Sequence, residues 1–211
     1  FGTLSMLCVG FIYSAILTLS SVYATKMNLS IFEVSILLIL ITLAGAFFQW
    51  PLGYISDKMD RRIILIGVTF IAAGLCVLIV GSSYISLTLF FILTAFYSCA
   101  SLPMYSLAIA HTNDFLEQNE IVAASSAFVR LIGIGSILGP LMVSAMMSLT
   151  GPNGFHIFLV IVHGLLGLFG LYRMTKRAVP ADSESQYVPL PRNITPAGME
   201  LNPITEPIEE E

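Results

Sequence analysis

The segment Gly53-Tyr54-Ile55-Ser56-Asp57-Lys58-Met59-Asp60-Arg61-Arg62 decides how this chain is read. It packs two carboxylates and three cations into the six residues 57–62, between two long apolar runs. Before it lies Ile31–Leu52 and after it Ile63–Gly81, each long enough to cross a bilayer. About 20 apolar residues suffice for that. A charged turn between two spans either anchors the chain in the aqueous phase or holds it in a defined shape.

Outward from that turn the same pattern repeats. Of 211 residues 56% are apolar and only 10% charged, and the mean hydropathy is +0.89. A soluble domain carries about a quarter of its residues as charges, so lipid is the expected solvent here. Six apolar runs are placed near 2–24, 31–52, 63–81, 85–110, 121–148 and 155–173. The connections between them are short, which predicts an antiparallel all-α bundle over residues 1–173. In lipid, helices satisfy their own backbone groups.

Residues 174–211 differ in kind. They hold six prolines, and three cations stand against seven carboxylates. The net charge of −4 therefore belongs to this segment, and the remainder of the chain is balanced. Such a composition cannot bury enough apolar surface to offset ordering entropy. A disordered, acidic, proline-rich cytoplasmic tail is the expectation. Basic residues in short loops are retained on the cytoplasmic side. Lys58, Arg61, Arg62, Arg173, Lys176 and Arg177 lie on one side, against Lys26 on the other. Both ends and the 53–62 turn are thus placed in the cytoplasm, with the chain in the inner or plasma membrane.

Polar residues inside spans face a bundle interior or a wet cavity. The first span carries Tyr13, Ser14 and Thr18, and the fourth carries Tyr97, Ser98, Ser101 and Tyr105. These seven are the candidate cavity residues. The fifth carries Ser125, Ser126 and Arg130, so spans one, four and five are expected to line the interior; the greasier third and sixth are expected to face lipid, with a packing role for His163. Spans one and four then occupy equivalent places in two three-helix units, as in an inverted 3+3 repeat. Arg130 is the sole Arg or Lys well inside a span. A substrate anion, a structural partner, an inner gate with His111, Asn113 and Asp114, or snorkelling to the cytoplasmic end would each explain it.

Several chemistries find no support. Cys8, Cys76 and Cys99 lie inside spans without metal spacing, and neither a metal nor a cofactor is expected. The GxxxxGK[ST], HExxH and GxSxG patterns are missing, so neither ATP-driven pumping nor membrane hydrolysis has a basis. No nucleic-acid partner is indicated. The chain begins with Phe1, almost inside a span, and reads as a piece of something longer.

Gly53-x-x-x-Asp57-Lys58-x-x-Arg61-Arg62 resembles the signature loop of the major facilitator superfamily, G-x-x-x-D-R/K-x-G-R-R, which joins the second and third helices of a six-helix half. Asp60 stands where that pattern has glycine, and a left-handed backbone there is the expectation. Gly135-Ser136-Ile137-Leu138-Gly139-Pro140 is similar to the family's G-x-x-x-G-P element, a packing and hinge site. Gly45–Gly53 and Leu107–Asp114 resemble the YcaD-type branch. The resemblance covers residues 1–173 and implies half of a twelve-helix secondary transporter, spans seven to twelve. Its partners would be lipid, a small solute and the missing N-terminal six-helix half. The competing reading is a six-span scaffold or sensor whose acidic tail recruits a partner, and a third is a half that dimerises.

Overall fold

The computed structural model describes residues 2–82, 84–116 and 120–176. Described residues form seven α-helices: α1 (Gly2–Lys26), α2 (Ile31–Lys58), α3 (Arg61–Ser82), α4 (Leu87–Ser101), α5 (Met104–Asn113), α6 (Ile121–Thr150) and α7 (Gly154–Met174). α4 and α5 are two parts of one span, so six helical spans are long and apolar enough to cross a membrane. The tail expected over 174–211 lies outside the described residues from 177 onward.

Local chemistry sets several helix ends. α1 closes on Asn28, at φ 59°, where its short polar side chain tolerates the left-handed region. The Leu29 amide then reaches the Ala24 carbonyl at 3.1 Å and the Asn28 amide reaches Thr25 at 3.0 Å, which is a Schellman closure. Two residues on, Ser30 and Glu33 form a capping box that starts α2. The Ser30 side chain accepts from the Glu33 amide at 3.3 Å, and Glu33 Oε2 accepts from the Ser30 amide at 2.7 Å.

Two boundaries differ from the sequence reading. α2 runs on through Gly53 to Lys58, so the expected 53–62 loop shrinks to Met59 and Asp60. Nothing in Tyr54–Lys58 breaks a helix, and the chain first becomes extended at Met59, φ −133° and ψ 164°. The fourth span is interrupted at Leu102–Pro103, because Pro103 has no amide to continue the ladder. Tyr13 Oη, from α1, donates to the Leu102 carbonyl at this break.

The packing has an internal symmetry. α1 packs on α6 and α4 on α2, while α3 packs on α7; α3 also meets α4, and α1 meets α7. Exchanging spans one and four, two and five, and three and six maps α1–α6 onto α4–α2 and α3–α4 onto α7–α1, and leaves α3–α7 as it is. That is the contact pattern of two equivalent three-helix units.

The α1–α6 contact is close because both sides are small. A Cβ on Gly135 would run into the Leu7 carbonyl oxygen and lie 3.0 Å from the Gly10 Cα. One on Gly139 would meet Ser14 Oγ and lie 2.9 Å from the Phe11 carbonyl oxygen. Small residues at a four-residue spacing give this approach. Pro140 lies inside α6, which continues past it.

Burial corrects the expected ranking of spans. Within the bundle 56% of the most apolar stretch of α7 is buried, against 17% for α6 and 17% for α2. The sixth span is thus not simply lipid-facing: its His156 and His163 are enclosed. Greasiness alone gives a helix no direction, because its neighbours in the bundle are as apolar as lipid. α2 and α6 instead present long uncovered faces, including Phe47, Trp50, Ile137 and Leu141.

Candidate functional site

The charged motif folds into a three-helix junction at the end of the bundle assigned to the cytoplasm. Arg61, the first residue of α3, is 4% exposed. Its Nη2 donates to Asp57 Oδ1 at 2.8 Å, one turn back on α2. Its Nη1 donates to Asp114 Oδ1, just past α5. Asp114 is 5% exposed and Asp57 31% exposed. One guanidinium therefore ties the ends of α2, α3 and α5. Arg suits this task because its planar fork offers several fixed donors.

Asp60 does a different job from the one its position in the motif suggested. The one non-glycine residue with positive φ among the described residues is Asn28, so Asp60 is not left-handed. Asp60 caps α3: its Oδ1 accepts from the Arg62 amide at 2.9 Å, and its carbonyl accepts from the Ile63 amide at 2.9 Å. Short carboxylate side chains favour that position. Its carboxylate also pairs with Arg62 Nη2 at 2.8 Å. Burial pushes the Asp60 carboxyl up. Hydrogen bonds from the Arg62 side chain and amide, together with its charge, outweigh burial and hold it below the ordinary carboxylate value.

Lys58 stays out of this junction. Its ammonium lies 4.1 Å from the centroid of Tyr54, which stacks on Trp50 with centroids 6.2 Å apart. Trp50, Tyr54 and Lys58 form an exposed stripe at four-residue spacing, of the type that anchors helices at a membrane interface. Near the junction two buried polar atoms, Ser56 Oγ and Asn113 Oδ1, have no hydrogen-bond partner among the described residues. Most buried polar atoms are paired, so these two would gain from a rearrangement of the α2 and α5 ends.

Six of the seven cavity candidates are enclosed by the bundle itself, and Thr18 alone is exposed. Ser14 and Ser98 donate to the carbonyls of Phe11 at 3.1 Å and Thr94 at 2.9 Å on their own helices. Such back-bonding lets a hydroxyl pack inward without a wet cavity. Tyr13 and Tyr105 lie with ring centroids 6.3 Å apart. Ser101 sits 3.3 Å from Tyr97 Oη and 3.5 Å from His163 Nε2, and His163 Nδ1 faces the Leu159 carbonyl at 2.8 Å. In this conformation these residues build a polar core across α1, α4, α5 and α7 rather than an open wall.

Arg130 does not meet Asp114, which is taken by Arg61. It is exposed on α6, its Nε donates to the Ser126 carbonyl at 3.2 Å, and it forms no ion pair among the described residues. The side chain turns back toward the start of α6, as in snorkelling. Two contributors were missed in the sequence. His163 was discounted with its helix. Gln49 bridges α2 to α5 through Ser106 Oγ at 2.9 Å, and as an amide inside an apolar span it was a readable signal.

Comparison with known proteins adds independent findings. A family model described as Major Facilitator Superfamily matches residues 2–203, past the last span and into the segment read as a tail. Similar proteins include the uncharacterised MFS-type transporter YfkF of Bacillus subtilis (strain 168). It is 32% identical over 134 residues, covering 62% of this chain and 33% of that protein. An uncharacterised MFS-type transporter of Enterobacter sp. (strain 638) is 24% identical over 144 residues, or 68% of this chain and 36% of its own length. One from Yersinia pestis (strain Pestoides F) is 26% identical over the same length, with the same coverage. The chain spans about a third of the length of these relatives.

Proposed function

The chain belongs to the major facilitator superfamily, and from that premise we propose that it forms the C-terminal six-span half of a secondary carrier for a small solute. It is an integral membrane protein of a transporter family and not an enzyme. The uncovered faces of α2 and α6 are the seat of the N-terminal half, and the solute binds near the midplane between the halves. Their exposure in this bundle, and the one-third coverage of the relatives, support that reading.

The observation that carries the mechanism is Arg61 bridging Asp57 and Asp114. The bridge locks the cytoplasmic ends of spans two, three and four into one body. Alternating access is a rocking of that body against the other half, and Gly53, Asp57, Arg61 and Arg62 form its conformational latch. Lys58 anchors the latch at the interface. Gly135, Gly139 and Pro140 hold α6 to α1 as the halves move. Among the cavity candidates Thr18 faces outward now, while Tyr13, Ser14, Tyr97, Ser98, Ser101 and Tyr105 form the wall behind it. Both ends of the chain are cytoplasmic, by the basic bias. Among the described residues the carboxylates lie at span ends, and this supports a proton-coupling acid in the other half where transport is proton-driven.

Uptake by the full-length protein in proteoliposomes, tested against a panel of small solutes, checks this reading. Flux of any solute that is slowed in Asp57→Asn at unchanged membrane insertion supports it. Normal flux in that variant rejects the latch.

A further inference from the structure

A second site lies at the cytoplasmic end of the bundle, separate from the latch bonds of Arg61 and from the polar core. A cavity of about 190 Å³ opens where the ends of α1, α3, α5 and α7 converge. It is lined by Thr3 of α1, Arg62 of α3, His111 and Thr112 of α5, and Arg173 of α7. Phe115, Leu116 and Met174 supply an apolar part of its wall. We propose that this cavity binds the phosphate group of an anionic phospholipid at the inner leaflet.

The chemistry of the lining selects the ligand class. Two guanidiniums, an imidazole and the Thr3 hydroxyl offer donors, while the Thr112 hydroxyl donates to the Ala108 carbonyl at 2.7 Å, and among the described residues no carboxylate lines the space. Among the described residues a cation has no ligand set there. Arg62 already holds Asp60, through Nε at 3.1 Å and Nη2 at 2.8 Å, so its orientation is fixed. Arg173 forms no ion pair among the described residues and is half-buried beside the cavity. Bringing a second guanidinium to the same small space as Arg62 costs repulsion that a shared anion removes, and Arg forks fit phosphate oxygens in two-point geometry.

Size and position narrow the source. Small-molecule sites run to about 300–1,000 Å³, so this space is too small for a whole solute and suited to a single phosphate with a short ester. It opens at the end of the bundle where the basic residues of the chain gather. Basic pockets between spans on the cytoplasmic side meet a leaflet rich in anionic headgroups. The Phe115, Leu116 and Met174 wall suits the start of an acyl glycerol better than bulk water. The same donors would take free inorganic phosphate, and the experiment separates the two. This proposal stands without the transport reading.

The test uses purified full-length protein in neutral detergent. Thermal unfolding is followed while phosphatidylglycerol or phosphatidylcholine is added in mixed micelles, and separately inorganic phosphate or chloride at matched ionic strength. The expected result is a saturable rise in Tm with phosphatidylglycerol alone, and a phosphatidylglycerol adduct in native mass spectra. In Arg173→Gln the apparent affinity falls at least about tenfold, the loss of one charged hydrogen-bond partner. Lys176→Gln, outside the cavity, leaves it unchanged. The wild-type adduct spectrum decides the matter even where Arg173→Gln does not fold. A saturable rise with inorganic phosphate instead overturns the lipid source and makes the ligand a soluble anion. No saturable rise with either probe, or one undiminished in Arg173→Gln, overturns the site.

Discussion

The two carboxylates that share Arg61 should not be equal, and their inequality is a quantitative test of the latch. Asp114 is 5% exposed and meets an arginine that is 4% exposed. Asp57 is 31% exposed. Removing one partner of a buried pair costs about 3–5 kcal/mol, whereas a solvent-screened partner is worth about 1 kcal/mol or less. At about 1.4 kcal/mol per tenfold, Asp114→Asn shifts the latched population by roughly 100-fold to several thousand-fold and Asp57→Asn by at most about fivefold. A cysteine at Ser56, where the native side chain is 1% exposed, reports the opening. With Cys8, Cys76 and Cys99 replaced by serine, Ser56→Cys in inside-out vesicles should react slowly with an impermeant maleimide. The rate should rise in the order wild type, Asp57→Asn, Asp114→Asn, by those factors. Arg61→Lys should resemble Asp114→Asn, because an ammonium lacks the fork that spans two helices. Equal acceleration by the two carboxylate variants, or none, would refute the assignment of Asp114 as the buried partner.

Three further outcomes follow from the geometry. Asp60 has a lowered carboxyl value, so its stabilisation is complete above its unfolded value of about 4 and is lost as pH falls through the lower folded value. Asp60→Asn keeps a cap and removes the charge, so the Tm difference from wild type should be present at pH 7 and shrink below about pH 4; a constant difference would contradict this. Gly135→Ala places a methyl against the α1 backbone and should cost about 1–3 kcal/mol, while Gly133→Ala, in open space, should be neutral or stabilising in the same thermal assay. Tyr13→Phe removes the hydrogen bond to the Leu102 carbonyl and should cost about 1 kcal/mol. In Pro103→Ala the restored amide can donate to the Cys99 carbonyl and draw the break into the span-four ladder, so a double-mutant cycle should show the Tyr13→Phe cost reduced; additive effects would contradict the role of the break.

Much of the fold was legible because spans obey one strong rule. Hydrophobic length marked all six, and the short connections forced antiparallel neighbours. The charged motif was legible for the same reason, as charge where lipid forbids it. Pairing across sequence was not. Asp114 stands 53 residues from Arg61, and local pattern gives no reason to prefer Arg61 to Arg130 as its partner. The direction in which an apolar helix faces was equally hidden, so the sixth span was set toward lipid although 56% of the most apolar stretch of α7 is buried. Asp60 was misread by letting the motif override local chemistry: an Asp before an apolar run is a helix-start signal, and it caps α3 here. Pro103 likewise announced the break in span four.

The central claim is that the latch governs access from opposite sides of the membrane. Two exposed positions report it without any known solute: Thr18, on the half of α1 proposed to face outside, and Ser126, near the end of α6 proposed to face the cytoplasm. In the cysteine-free full-length protein, Thr18→Cys is labelled from outside and Ser126→Cys from inside, each with and without Asp114→Asn. The account predicts that breaking the latch raises the Ser126→Cys rate and lowers the Thr18→Cys rate together. Rates that stay unchanged, or that rise together on both sides, would contradict it.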